Sequence, residues 1–455
     1  KGALVINAKG DYEFAQEIYS YWKENIDSEQ EFKFINLADK DYSHTYSPIF
    51  RGTGMEIRDR IVGAIDWGDI YYKSRSQQVL RLICQAVENL EKTATIMDIY
   101  SLVSDKNAMN RMKNELKDEK LKNEITNEIY KNEDYDHQIS GLKSAIGDIA
   151  KGAFGEIINT YNPDVDLLES YRNNDIVFVN LPTTLIGESA RAFGKMLLMD
   201  LKTLTGEIEK GKAKKHFYPI YIDEFAEIAT SEFIGLLNKA RSAGLKIHLA
   251  YQSIGDLEQV DTSFVKQVID NTNLNLIFRN NEDTSTEKLA KLIGTKKSLK
   301  ETARVDKNLI SQSESDEGSI RETEEFYINP NVIKQLKRGQ AIIFGKQPEF
   351  FYNLIYTDFI EENYKQQKIE IKKYKKNKNE NALNVFENYI KNKDDKTQPE
   401  SQPEFNPIPK PKNDNEKIDI KIFKPDKNKT NTNSKKTEKE NEKDDLADNL
   451  LWNSY

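Results

Sequence analysis

The sequence is short of the residues that staple or metallate a fold. Its 455 residues hold one cysteine, Cys84, and four histidines, His44, His137, His216 and His248. One cysteine cannot close an internal disulfide, and the histidines show no metal-ligand spacing. These shortages exclude a disulfide scaffold and a His/Cys metal centre, and a reducing compartment is the default. No apolar run approaches the ~20 residues of a membrane-spanning helix. No signal-peptide pattern opens the chain. Also missing is Gly-x-x-x-x-Gly-Lys-Ser/Thr, the loop that cradles phosphates. Gly194-Lys195 lies inside a helix pattern and is followed by Met196, and Gly52-Thr53-Gly54 has no lysine. The chain begins with Lys1, directly in a strand-like run, so it is expected to have been cut from something longer.

What is present divides in two. The hydrophobic fraction is 37% and the charged fraction 31%, but the apolar residues lie before about residue 360. Beyond that point Lys, Asn, Asp and Glu dominate, a composition that cannot offset the entropy of ordering a chain. Residues 363–455 are therefore expected to be a mostly disordered charged tail. Two patches depart from it. Ala382–Ile390 could form a short helix. Asp444–Trp452 mixes acids with large apolar residues, as docking peptides do, or is part of a solubilising tail. The net charge of −8 means that any nucleic acid must meet a local basic surface.

The apolar part alternates strand and helix. Ala3-Leu4-Val5-Ile6 is a strand ended by Asn7-Ala8-Lys9-Gly10-Asp11. A helix follows over about 12–23, with Phe14, Ile18 and Tyr21 or Trp22 inside. Phe32–Leu37 alternates as a second strand. From about 58 to 158 the pattern is helical without interruption: Val79, Leu82, Ile83, Ala86 and Leu90 on one face, Ile139, Leu142, Ile146 and Ile149 on another. This predicts an all-helical insertion over about 73–165. Strands return at Asp175–Leu181, Phe217–Asp223, Lys246–Tyr251, Leu274–Phe278 and Gln340–Gly345. The order predicts an α/β fold with a mostly parallel sheet and helices on both faces. Ligands in such sheets bind beyond the carboxyl ends of the strands. The residues there are Lys9, Asp11, Asn180, Asp223, Glu224, Gln252 and Arg279.

Residues 217–225 organise the chain. The apolar run Ile220-Tyr221-Ile222 stops at two acids. Two carboxylates ending a buried strand fit a magnesium–nucleotide site, with Asp223 holding the metal or its water shell and Glu224 polarising a water. The alternative is a strand running into an ordinary acidic turn.

Tyr221-Ile222-Asp223-Glu224-Phe225 is followed by Phe233–Arg241, Gly244 and Ala250-Tyr251-Gln252-Ser253-Ile254-Gly255-Asp256-Leu257. This run resembles the motor domain of conjugative coupling proteins of the TraD/TraG type, which are RecA-like ATPases of type IV secretion systems. Further similarities keep the family's order: Ala8-Lys9-Gly10-Asp11, Tyr71-Tyr72, Phe278-Arg279 and Asn329–Ile333. The resemblance covers about 1–357. It implies a RecA-like P-loop-type motor domain in two parts, 1–72 and 166–362, split by the helical insertion 73–165. It implies ATP and Mg²⁺ as cofactors, with Asp223 as the metal ligand and Glu224 as the base. Arg241 resembles the arginine presented to a neighbour's nucleotide; the alternative is a cation closing a helix dipole. Gln252 resembles the γ-phosphate sensor, and Lys9 and Arg279 are weaker nucleotide-edge candidates. Arg279 could equally pair with Glu282 or Asp283. The family's phosphate loop lies just before the strand at which this chain starts, and the family favours Asp-Pro where Asn7-Ala8 stand.

The resemblance further implies ATP-driven translocation of single-stranded DNA with its relaxase into the secretion channel. The implied partners are relaxosome proteins and the channel ATPases. The assembly would be a homo-hexamer on the cytoplasmic side of the inner membrane, anchored through an N-terminal segment. Two rival functions are an FtsK-like double-stranded DNA translocase and a non-hydrolysing relaxosome adaptor. Cys84, on an apolar helical face, is expected in the core.

Overall fold

A computed structural model describes residues 2–25, 29–308, 311–358, 365–372 and 379–385. Five strands form a parallel sheet: β1 (Ala3–Asn7), β2 (Phe32–Asn36), β3 (Ile176–Asn180), β4 (Tyr218–Asp223) and β5 (Leu245–Leu249), in the order β2-β3-β1-β4-β5. Their near-continuous apolar runs follow from burial on both faces. On one face lies the helix Glu188–Glu209, with Ala190, Phe193, Leu197, Leu201 and Leu204 all buried. On the other lies α1 (Tyr12–Asn25), which buries Ala15 and Tyr19 and packs Phe14, Ile18 and Trp22 against Phe34 and Phe178. Tyr21 points to solvent at 61% exposure, so of the two aromatic candidates for that face Trp22 is the one that packs.

Between β2 and β3 the chain is helical. It contains α2 (Gly54–Ala64), α3 (Ile70–Asn89), α4 (Ile96–Ser104) and further helices up to Asn173. Leu82, Ile83 and Ala86 meet Leu142, Ile146 and Ile149 in one apolar core that continues under the sheet. Cys84 is buried there, and the lack of water pushes its thiol up to about 12, so it is an unreactive core residue. A buried ion pair fastens α2 to the helix Glu188–Glu209. Arg60 Nη2 lies 3.0 Å from Asp200, which also accepts from Tyr46 at 2.5 Å.

One expectation fails and another is narrowed. First, Leu274–Phe278 and Gln340–Gly345 do not join the parallel sheet. Strand β6 (Leu274–Ile277) precedes a long hairpin, β7 (Thr295–Asn308) and β8 (Ser311–Phe326), and lies in a separate antiparallel sheet with β9 (Gln340–Gly345) and β10 (Phe351–Tyr356), in the order β10-β9-β6. Its alternation gives the reason. Leu274 and Leu276 face solvent while Ile277 is buried, the pattern of a sheet with one wet face.

Second, parts of the stretch expected to be disordered are seated on the body. Ile369 is buried beside Phe34 and Phe178, Gln367 N donates to Ser20 Oγ at 2.8 Å, and Lys365 N donates to Glu24 at 2.7 Å. Residues 379–385 pair with Thr93, as turn and bridge rather than helix up to Asn384. Alternation, not overall composition, marks the first segment: Ile369 and Ile371 are two apart, so both can meet one surface. The rest of the expected short helix, and the terminal segment Asp444–Trp452, lie outside the described residues.

A buried histidine beside the first of these segments is expected to make the fold sensitive to acid. His44 Nδ1 accepts from Phe34 N at 2.9 Å and its Nε2 faces the carbonyl of Lys372 at 3.2 Å. Burial holds its imidazole below the ordinary 6.5, against the pull of Asp164. The folded chain therefore binds fewer protons than the unfolded chain in the window just below 6.5, and stability is lost as pH falls through it. Urea unfolding should show the midpoint dropping between about pH 7 and pH 5, with a flatter profile in His44→Gln. Equal slopes in both chains would assign the acid loss to other groups.

Candidate functional site

Because all five strands of the large sheet are parallel, their carboxyl ends share one rim. Register places Asn36 beside Asn180, Asn180 beside Asn7, and Asn7 beside Asp223. Three buried asparagines and one acid thus form a row. Asn180 Nδ2 donates to Asn36 Oδ1 at 3.2 Å. Asn7 Oδ1 accepts from Lys9 N at 3.0 Å and its Nδ2 donates to Asp11 O at 3.2 Å. Asn7 therefore builds the turn that carries Lys9. Gly10 has φ +83°, and a Cβ there would come 2.5 Å from Pro182, so the turn admits only glycine. Asp11 caps α1 by accepting from Glu13 N at 2.9 Å, which gives it a local task. The Lys9 side chain is exposed, and its ammonium has no hydrogen-bond or ion-pair partner among the described residues.

The acid pair ends β4. Glu224 takes a left-handed conformation, φ +50°, ψ +46°. That conformation costs a non-glycine residue about 1 kcal/mol or more, and such strain is concentrated at working sites. Its neighbours hold it: Ala8 N donates to Asp223 O at 3.3 Å, and Phe225 N donates to Ala250 O at 2.8 Å. Phe225 is buried against Phe233, with ring centroids 4.7 Å apart. The Glu224 carboxylate is then fixed from the next strand, where Gln252 Nε2 donates to its Oε1 at 2.8 Å. The second oxygen remains available to accept a proton. Asp223 is half-buried, and its carboxylate has no hydrogen-bond or ion-pair partner among the described residues. A lone hard-oxygen donor on an open rim suits Mg²⁺, which takes one or two carboxylates and completes its shell with water and phosphate. Asp223 therefore fits the metal that the sequence implied.

A cleft of about 720 Å³ opens at Ala226, two residues past Glu224, and includes Asp66, Arg191, Lys195 and Glu227. Two of its cations are already engaged. Lys195 Nζ sits 2.6 Å from Asp66, and Arg191 pairs with Glu227 at 2.8 Å. Lys195 thus belongs to a mid-helix ion pair and does not replace a phosphate-loop lysine.

The other two candidates lie elsewhere. Arg241 follows the helix Phe233–Ala240, just before Gly244 turns the chain into β5. Gly244 has φ +83°, and a Cβ there would meet His216 O at 2.2 Å. Arg241 therefore sits at the start of β5 and Gln252 beyond its end, about 16 Å apart along a five-residue strand. The two share no site within one chain. Arg279 follows β6 and so leaves the rim with it. Nor does it pair with Glu282 or Asp283: Glu282 caps the next helix through Thr284 N and Ser285 N, and Asp283 takes Lys334. The asparagine row went unrecognised from sequence, although its signal was there: β1, β2 and β3 each close on the same residue.

Residues 219–338 match the family described as the TraM recognition site of TraD and TraG. No curated protein matches the chain in sequence. Among solved structures, the unbound bacterial conjugative coupling protein TrwB aligns with a TM-score of 0.55 at 12% identity, over 81% of this chain and 86% of its own. TrwB with ADP and Mg²⁺ gives 0.53 at 11%, over 80% and 86%. TrwB with a non-hydrolysable ATP analogue gives 0.54 at 11%, over 81% and 87%. The shared architecture is the RecA-like α/β fold.

Proposed function

We propose that this chain, a coupling protein of the TraD/TraG type, is the cytoplasmic motor part of a machine that moves single-stranded DNA with its relaxase into a secretion channel. The hydrogen bond from Gln252 to Glu224 carries the reading, because it joins the ends of two adjacent parallel strands beside an unpartnered Asp223. Asp223 would hold Mg²⁺ with the nucleotide, which together supply the transferable phosphoryl group and offset its charge. Glu224 accepts the proton of the attacking water, and Gln252 keeps that carboxylate aimed. Its amide can also turn to donate to phosphate. Lys9 stands on the same rim as a cation for the nucleotide edge. Arg241, on the far rim, can serve only a neighbouring copy's nucleotide, as an arginine in a hexameric ring would. Arg279 lies off the rim and could reach nucleotide only across a subunit contact.

The relatives' names support this direction. TrwB is a conjugative coupling protein with structures holding nucleotide, and the family segment is a TraM recognition site, which fits relaxosome partners. The proposed place of action is the cytoplasmic face of an inner membrane. Among the described residues no helix is long and apolar enough to cross a membrane.

These 455 residues contain no phosphate-cradling loop, so this chain alone is expected to release no phosphate from ATP above background. A polypeptide that carries a Gly-Lys-Ser/Thr loop ahead of Gly2 should hydrolyse ATP, and single-stranded DNA should stimulate it more than duplex. Preference for duplex would favour the FtsK-like function. Turnover by the 455-residue chain itself would remove the need for a loop.

A further inference from the structure

We propose that Thr93, Asp98 and Tyr161 form a docking site that reads the backbone of an extended peptide, and that the chain fills it with its own residues Asn379–Val385. This fastens Asn379–Val385 to the helical part.

Most of the site is made by the helical part itself. Asp98 is fully buried at the start of α4. Its Oδ2 accepts from Thr95 N at 2.9 Å, Thr95 Oγ1 at 2.8 Å and Tyr161 OH at 2.8 Å. That leaves Oδ1, which accepts from Val385 N at 3.0 Å. The Tyr161 oxygen accepts from the preceding amide, Asn384 N, at 3.1 Å. Thr93 completes the clamp as a single parallel bridge: its N–H donates to Asn381 O at 2.9 Å and its carbonyl accepts from Leu383 N at 2.9 Å. Asn379 Nδ2 donates to Tyr161 O at 2.9 Å. Three amides in a row, 383 to 385, are thus captured by three different groups of the helical part.

Main-chain capture alone would accept any sequence. Selection comes from side chains and conformation. Ala382 and Val385 are each 9% exposed, and Val385 joins the main apolar core. Asn384 has φ +53°, a conformation that asparagine tolerates better than most residues. The pattern Asn-x-Asn-Ala-Leu-Asn-Val thus places a small residue, an αL-tolerant residue and a β-branched anchor where each is needed. Residues 365–372 are seated on α1 and β2, so the tail is fastened at two places, first on the sheet side and then on the helical part. Two separate seats make the contact of 379–385 with the helical part close to intramolecular, which raises its effective concentration there.

Val385→Pro tests this in the whole chain. It removes the N–H that Asp98 accepts and bars Asn384 from its present conformation. Val385→Ala keeps both, and Tyr161→Phe removes one acceptor while leaving Asp98 in place. Hydrogen exchange in the unaltered chain should show the amides of Leu383, Asn384, Val385 and Thr93 at least about tenfold slower than in free peptide. Val385→Pro should abolish this protection at Leu383, Asn384 and Thr93 with the circular dichroism of the body unchanged. Val385→Ala should retain most of it, and Tyr161→Phe should lose it at Asn384. Unprotected amides in the unaltered chain would overturn the proposal, as would Val385→Pro exchanging like the parent. Protection that disappears on dilution would assign the peptide to a second copy and overturn self-occupancy.

Discussion

Replacing Glu224 by glutamine, in a polypeptide that carries a phosphate-binding loop, should lower ATP turnover by about 10²–10⁴-fold, the usual contribution of a positioned general base. Nucleotide affinity should change little. The substitution keeps the side chain's length, and an amide oxygen still accepts from Gln252 Nε2, which now lies 2.8 Å from the carboxylate. The left-handed backbone at 224 is set by the flanking bonds from Ala8 and Phe225 and does not depend on charge. What is lost is the second carboxylate oxygen as a proton acceptor. Asp223→Asn should act differently, weakening Mg²⁺-dependent binding as well as turnover, because a neutral amide is a poor ligand for a hard cation. Binding measured with a fluorescent nucleotide, alongside phosphate release, separates the two. Turnover within threefold of the parent in Glu224→Gln would place the base elsewhere on the rim.

That prediction rests on a part of the molecule that was legible from sequence. An apolar run that halts at two acids announces a strand end, and Gln252 stands just beyond the next such run. Parallel pairing brings the two ends together without further information, since every β–α–β crossover returns the chain to the same edge. The same logic misplaced Arg279. Leu274–Ile277 looks like another buried strand, yet its alternate residues are wet, and period-two alternation over four residues is too short to separate the two sheet types. Arg241 shows another boundary. Its helix was evident, but which rim a helix end occupies depends on the direction of the following strand, so a residue near the acids in sequence lies across the sheet from them. The seated tail was hidden because composition averages over a window. Ile369, Ile371 and Val385 are few among lysines and asparagines, and what holds 379–385 is mostly its backbone, which no side-chain pattern reveals.

The largest effect on stability is expected at Arg60, which sequence singles out in no way. Its guanidinium is buried, donates to Thr203 Oγ1 at 2.8 Å and to the carbonyl of Pro48, and lies 3.0 Å from Asp200. Arg60→Met fills much of the same space but leaves Asp200 buried with Tyr46 as its remaining close donor. Breaking such a pair from one side costs about 3–5 kcal/mol, because the surviving charge stays out of water. The cost should depend on pH. Burial already raises the Asp200 carboxyl above its ordinary range, and Arg60 opposes that rise. Without Arg60 the folded-state value climbs further, so the folded chain binds a proton that the unfolded chain does not. Stability of the variant should therefore be highest in acid and fall as pH rises from the unfolded carboxylate value through the new folded one. Urea midpoints of Arg60→Met and parent should lie closer together at about pH 5 than at about pH 8. A loss below about 1 kcal/mol that is the same at both values would show that water reaches Asp200. The clamp between α2 and the helix Glu188–Glu209 would then owe its strength to the apolar contacts around Tyr46 and Phe193, whose rings stack edge to face at 5.7 Å.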